Sequence, residues 1–256
     1  MPTNGEPGRT VKTTRTSFEI IELLQEHDGA RVTEVATALG LAKSTAHNHL
    51  STLASMEYLV KEGDCYYVGT RFLGIAKYVR NRKAAYDLAE PKVEQLAEET
   101  GELTQFAIEE HGQAVYLHRA AGERAVRTDT GISQRVSLHT TAAGKAILAH
   151  LPAERVDEIV EQRGLPARTE HTITDRDALH EELAAVRDRG YALNREERIV
   201  GLRAIGAPVR SADGDVIGSI SVAAPSNRMK GEWFDRELPD LLLGIVNELE
   251  LNITYS

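Results

Sequence analysis

The sequence predicts an α+β chain. A short disordered lead (residues 1–10) precedes a winged helix-turn-helix (11–70), a linker helix (71–86) and a domain of antiparallel strands with flanking helices (87–256). Three observations predict this order. Residues 32–53 read as two short helices about a glycine; two β-prone runs follow around Gly63; beyond Gly101, strand-like alternation and helical spacing interleave to the end. A chain of 256 residues with 41% hydrophobic side chains can build two medium-sized cores.

Residues 14–27 carry Phe18, Ile20, Ile21, Leu23 and Leu24 at the spacing of an amphipathic helix. In the next helix Thr33 is the expected N-cap, and Val35, Ala36 and Leu39 form the apolar side. Gly40 stands where the chain must turn. A second helix starts near Lys43-Ser44 with Ala46, Leu50, Leu53 and Ala54 on one face. Glu57–Val60 and Cys65–Val68, around Gly63-Asp64, make a hairpin, the wing. Residues 71–86 form a further helix with Phe72, Leu73, Ile75, Ala76 and Val79 on its apolar side, and Pro91 is expected to open the next. Strands follow at 103–109, 114–120 and, more weakly, 126–130. Helices are expected from Thr141 or Ala142, over 152–162, and over 175–189 with Thr174 as cap and Gly190 as stop. Strands at 191–194, 203–209 and 216–223, the last two joined at Asp213-Gly214, lead to a closing helix over 235–252.

The second helix of the helix-turn-helix points to DNA. Its outer face carries Ser44, Thr45, Asn48, Ser51, Thr52 and Ser55, short hydrogen-bonding side chains instead of the Glu, Lys and Arg of a face kept for solubility. Such side chains suit a major groove, where Asn pairs with adenine and Ser or Thr with several base edges. With His47, and with Lys43, Lys61 and Arg71 placed for phosphates, they form the candidate DNA-contacting set. The charge balance runs the other way: 39 acidic against 30 basic residues, net −9. Either the positive charge is local, or the protein works in high salt, where counterion release adds little and an acidic surface keeps it dissolved. The solvated helix of an ordinary bundle, or a module using this helix for protein contacts, is the plainer alternative.

In the second half, His139–Ala146 is not a phosphate loop: the leading glycine is missing and Ala146 stands where Ser or Thr would hold magnesium. A helix start at Thr141-Ala142, with Gly144 behind it, still offers backbone N–H groups to an anion. Alternation in 216–223 puts Val216, Gly218, Ile220 and Val222 on one face and Ile217, Ser219, Ser221 and Ala223 on the other, so the serines either line a polar pocket or face water. Glu196 and Glu197 either accept from a ligand or pair with nearby arginines. Glu197 as a base near His139 is the single catalytic constellation on offer, and nothing local supports it. His47 and His49 are two apart on a helix and point apart, and no histidine pair has metal-ligand spacing, so no metal or cofactor is expected. One cysteine, Cys65, excludes an internal disulfide; no stretch reaches membrane-span length and no signal peptide opens the chain, so the expected setting is cytoplasmic.

The segments GLAKSTAHNHLSTL (40–53), LAEETGEL (96–103), LHTTAAGKAILA (138–149), LHEELAAVRDRGYALNREERIVGLRAIGAPV (179–209) and GSISVAAP (218–225), in this order and spacing, resemble the IclR family of one-component transcriptional regulators over nearly the whole chain. The resemblance implies a GAF-like effector-binding domain after the winged helix-turn-helix, and a homodimer or tetramer on palindromic double-stranded DNA. It implies a small organic or sugar acid as effector of a catabolic operon. By motif position it places the pocket at Thr141, Ala142, Gly144, Glu196 or Glu197, Ala204, Ser219 and Ser221. Asn48 falls where many members carry Arg, and Ala204 where some carry a polar or sulfur residue. The acidic balance is compatible with a halophile.

Overall fold

The computed structural model describes residues 10–126 and 134–256. Contacts divide it into two compact units, between Val79 and Arg80. The strand expected over 126–130 falls almost entirely outside the described residues.

The first unit is built on α1 (Lys12–Glu26), β1 (Ala30–Arg31), α2 (Val32–Ala38) and α3 (Lys43–Ser55). The wing follows as β2 (Leu59–Glu62) and β3 (Cys65–Val68), and then α4 (Arg71–Asn81) begins. Ile20, Leu24, Val35, Ala46, Leu50, Leu59 and Tyr66 close its core. Phe18, expected to pack, is 58% exposed. Gly40 has a φ of +61°, as the turn between α2 and α3 requires. The cap of α2 is a correction: the helix begins at Val32, with Arg31 at the cap position and the Glu34 carboxylate accepting the Arg31 backbone N–H at 2.7 Å, so Thr33 is the second helical residue. The wing is three-stranded, order β1-β3-β2; two-residue β1 is too short to show alternation.

The helix expected over 71–86 ends at Asn81, and α5 (Ala84–Thr100) runs straight through Pro91. Pro91 therefore lies inside a helix it was expected to start; it occupies the eighth position and removes one hydrogen bond, which burial of Ala85, Ala89, Val93 and Leu96 on one face outweighs.

The second unit holds a six-stranded antiparallel sheet. Its strands are β4 (Leu103–Glu110), β5 (Gln113–Ala121), β6 (Arg135–Ser137), β7 (Ala192–Arg195), β8 (Leu202–Arg210) and β9 (Val216–Pro225), in the order β6-β5-β4-β9-β8-β7. β4 and β9 form the central pair, with Leu103 opposite Ala223 and Gln105 opposite Ser221. One face packs on α5 and α9 (Leu238–Tyr255) through Phe106, Ile220, Val222 and Leu242. The other carries α6 (Ala142–Leu148), α7 (Ala153–Arg163) and α8 (Arg176–Arg189) through Tyr116, Ala143, Ile147, Ile159 and Leu183. α8 is capped by Asp175, not Thr174: Asp175 Oδ1 accepts the Ala178 N–H at 2.9 Å. A bulge between Val209 and Arg210 reverses the expected faces at the start of β9, so Val216 joins the α6 side and Ile217 the α9 side.

Candidate functional site

On α3 the geometry follows the helical period. Ala46 and Leu50 are buried, while Lys43, Ser44, Thr45, His47, Asn48 and Thr52 are exposed and Ser51 is half-buried. His49 does not belong to this face: its Nδ1 lies 2.9 Å from Ser17 Oγ and ties α3 to α1. Thr52 Oγ1 donates to the Asn48 carbonyl at 2.8 Å, which fixes the hydroxyl and leaves its lone pairs outward. Lys61 is exposed on the wing, its ammonium 5.6 Å from the Tyr66 ring centre. Arg71 is engaged locally. Its Nη1 donates to the Met56 carbonyl at 3.0 Å and meets Glu57 at 3.3 Å, and the guanidinium lies 5.0 Å from the Tyr58 ring centre.

In the second unit, α6 starts against the sheet at a contact that needs glycine twice. A Cβ on Gly144 would stand 2.1 Å from the Leu138 carbonyl oxygen, and one on Gly206 of β8 2.8 Å from the Ala142 carbonyl carbon. The start of α6 is capped, with the Gly144 N–H donating to Thr141 Oγ1 at 3.0 Å, so one of the backbone donors expected for an anion is already used.

Thr141, Ala142, Ala204 and Ser221 line one cavity, of about 440 Å³ with its mouth included. The other four residues expected there do not. Gly144 is the packing contact just described. Ser219 is fully buried and its hydroxyl donates to the Ala143 carbonyl at 3.0 Å, holding α6 down. Glu196, at a φ of +71°, accepts the Gly201 N–H at 2.8 Å and lies 3.6 Å from Arg203. Glu197 is buried against Lys145, 2.7 Å away. Neither serine faces water: Ser219 and Ser221 are both buried.

Sequence reasoning missed Gln105, Tyr116, Asn194 and Arg198 on the cavity wall. Gln105, an amide in an apolar strand and paired in register with Ser221, was a signal that could have been used. Asn194 is set by its neighbours: its amide donates to the Thr140 carbonyl at 2.6 Å and its oxygen accepts the Glu197 N–H at 3.3 Å.

Lys145, buried on α6, sits between Glu197 and Glu182, and Arg189 pairs with Glu182 at 2.8 Å. Burial alone would raise the Glu182 carboxyl; Lys145 and Arg189 outweigh it and hold it below the usual carboxylate value. His139 donates to or accepts from no carboxylate among the described residues. Its Nε2 faces the Pro166 carbonyl at 3.3 Å, and burial pushes its pKa down. With Glu197 taken by Lys145, the proposed base and histidine are not brought together on a substrate cavity. None of the described helices is long and apolar enough to cross a membrane.

An exposed, mostly uncharged polar helix face beside a wing, joined to a separate sheet unit with a small mixed-polarity cavity, defines a DNA-reading protein with a ligand-sensing domain. Residues 16–63 match the IclR helix-turn-helix domain, and residues 77–245 match the family described as bacterial transcriptional regulator IclR C-terminal. The chain is 36% identical over 254 residues to the probable HTH-type transcriptional regulator ArcR of Halobacterium salinarum, covering 98% of this chain and 96% of that one. The crystal structure of the Thermotoga maritima IclR superposes with a TM-score of 0.82 at 25% identity, covering 94% and 98% of the two chains. A double mutant of the inducer-binding domain of the PobR transcription factor from Acinetobacter, in complex with 3-hydroxybenzoic acid, superposes with a TM-score of 0.59 at 27% identity, covering 64% of this chain and 96% of that one. The chain belongs to the IclR family of transcriptional regulators, and is a regulator and not an enzyme.

Proposed function

We propose that this regulator binds a palindromic operator as a homodimer or tetramer and controls a catabolic operon in response to a small organic or sugar acid. The observation that carries the reading is the pairing of an exposed Asn48 face with a cavity lined by Thr141, Ala142, Ala204 and Ser221 in the other unit. Lys43, Ser44, Thr45, His47, Ser51 and Thr52 join Asn48 on the duplex, with Lys61 on the wing. Arg71 supports the wing from behind and reaches phosphate only at the cost of its local contacts. The cavity pairs an apolar floor with hydroxyls, two amides and a guanidinium, the chemistry that holds a short carboxylic acid. The acid bound to the PobR domain is in keeping with this class. Leu73, Ile75 and Tyr78, exposed on α4, suit a second copy of the chain. A protein that acts on the chromosome works in the cytoplasm.

Footprinting of the chain on the region upstream of its own gene tests the reading. A protected palindrome that is lost on adding the right acid is expected. No protection at any salt concentration would favour the alternative, a module that uses its helix-turn-helix for protein contacts.

A further inference from the structure

A second cavity in the sheet unit lies between α7, the turn that joins β4 to β5, and the stretch that leads from β6 into α6. It measures about 570 Å³ with its mouth included and shares no residue with the cavity described above. Leu138 and His139 belong to this one, and Thr141, Ala142 and Ala143 to the other, so the entry to α6 is a partition between them. Leu148, Ile159, Val160, Leu165 and Leu179 continue its aliphatic wall.

The polar groups on that wall are few and open. His139 is 3% exposed, and its Nε2 faces the Pro166 carbonyl at 3.3 Å. A carbonyl only accepts, so that nitrogen carries the proton. Burial keeps the ring neutral and leaves Nδ1 an acceptor. Among the described residues Nδ1 has no partner, and neither have the Gln113 amide and the Ser137 hydroxyl. The charged wall residue, Arg163, donates through Nε and Nη2 to the His111 carbonyl at 3.0 and 2.6 Å, so an anion finds its fork already engaged. A crevice filled by water is the plain alternative. Water would satisfy Nδ1 but would leave the aliphatic wall wet, whereas apolar cavities take up small apolar molecules.

We propose that this cavity is a second ligand site, for a small neutral molecule that joins one hydroxyl to an apolar ring, a phenol or a cyclic alcohol. The hydroxyl donates to His139 Nδ1 and accepts from the Gln113 amide, and the ring lies against Leu148, Ile159 and Leu179. The site stands apart from the acid-sensing reading and does not depend on it.

Calorimetric titration of the full chain with phenol, cyclohexanol, toluene, methylcyclohexane and benzoate tests this. Each hydroxyl compound is expected to bind about fivefold or more tightly than its methyl twin, the worth of one net hydrogen bond. Val160→Trp, which fills the cavity from a half-buried position on α7, is expected to abolish phenol binding. Gln113→Ala, half-buried at the start of β5, is expected to weaken phenol and leave toluene unchanged, and it keeps the test open if Val160→Trp does not melt cooperatively. Benzoate is expected to give no heat that Val160→Trp removes. The proposal is overturned if neither hydroxyl compound binds, if the methyl twins bind as tightly, if Val160→Trp folds and still binds phenol, if Gln113→Ala leaves phenol unchanged, or if benzoate enters the same site.

Discussion

The Lys145 ammonium lies 2.7 Å from a carboxylate oxygen of Glu197, and with a lysine side chain 1% exposed the pair is closed to solvent. It joins the helix over the candidate effector cavity to the loop that forms the cavity's wall. Breaking such a pair from one side leaves a buried charge, which costs about 3–5 kcal/mol. Lys145→Met strands Glu197 and is expected to cost in that range. Glu197→Gln leaves Lys145 with Glu182 at 3.3 Å and is expected to cost clearly less. Urea melts of both variants check the asymmetry; equal losses would mean that Glu182 does not support the lysine.

Asn48→Ala is expected to weaken operator binding by roughly 1–3 kcal/mol and to leave the melting temperature unchanged, since the side chain is exposed. Arg71→Ala is expected to do the reverse. It removes a hydrogen bond to the Met56 carbonyl and a ring contact with Tyr58, about 1 kcal/mol of stability, while the slope of binding against salt stays as it was. Gel shifts over a range of salt concentrations separate the two.

Ser219 and Ser221 share a strand face but not a role. Ser221→Ala is expected to reduce the response to effector with stability intact. Ser219→Ala removes the hydroxyl's bond to the Ala143 carbonyl in the core and is expected to cost about 1 kcal/mol of stability. Thermal melts with and without ligand distinguish the outcomes.

Gly144→Ala is expected to destabilise the second unit by about 1–3 kcal/mol or more, because the new methyl would meet the Leu138 carbonyl at 2.1 Å and backbone must move. An unchanged melting temperature would show that α6 is not held where it is seen.

Acid sensitivity follows from three histidines. Burial lowers the pKa values of His118, His139 and His150 below the ordinary value near 6.5. The unfolded chain therefore takes up protons that the folded chain refuses. The associated stability is complete above about pH 6.5 and declines as pH falls below it. Glu182, held below the usual carboxylate value, remains ionised through that range. Urea melts at pH 7.5 and 5.5 are expected to show the loss, and a histidine-to-glutamine change at His139 to reduce it.

The helices and strands were legible where one face is apolar and the other is not. α3 shows this, with Asn48 on its exposed face; on β9 the alternation left Ser221 either in a pocket or facing water, and it is buried. Boundaries set by neighbours were not legible: Pro91 marks a helix start by itself, but burial of α5 overrides it. The cavity was half legible. Thr141 and Ser221 announce themselves as polar groups at a helix start and on a strand face. Arg198 does not, because it is positioned by Glu196 and Glu197, whose own charges drew the eye and whose carboxylates turn out to be anchors.

The pairing of β4 with β9 sets an order on synthesis. The hydrophobic core of the winged unit lies within Ile20–Tyr66, so that unit can close while the ribosome is still making the rest. The sheet cannot: Leu103 waits for Ala223 to complete its middle seam. A nascent or prematurely ended chain that stops short of β9 thus carries a finished DNA reader and an unfinished sensor, with one edge of β4 open to strands of other molecules.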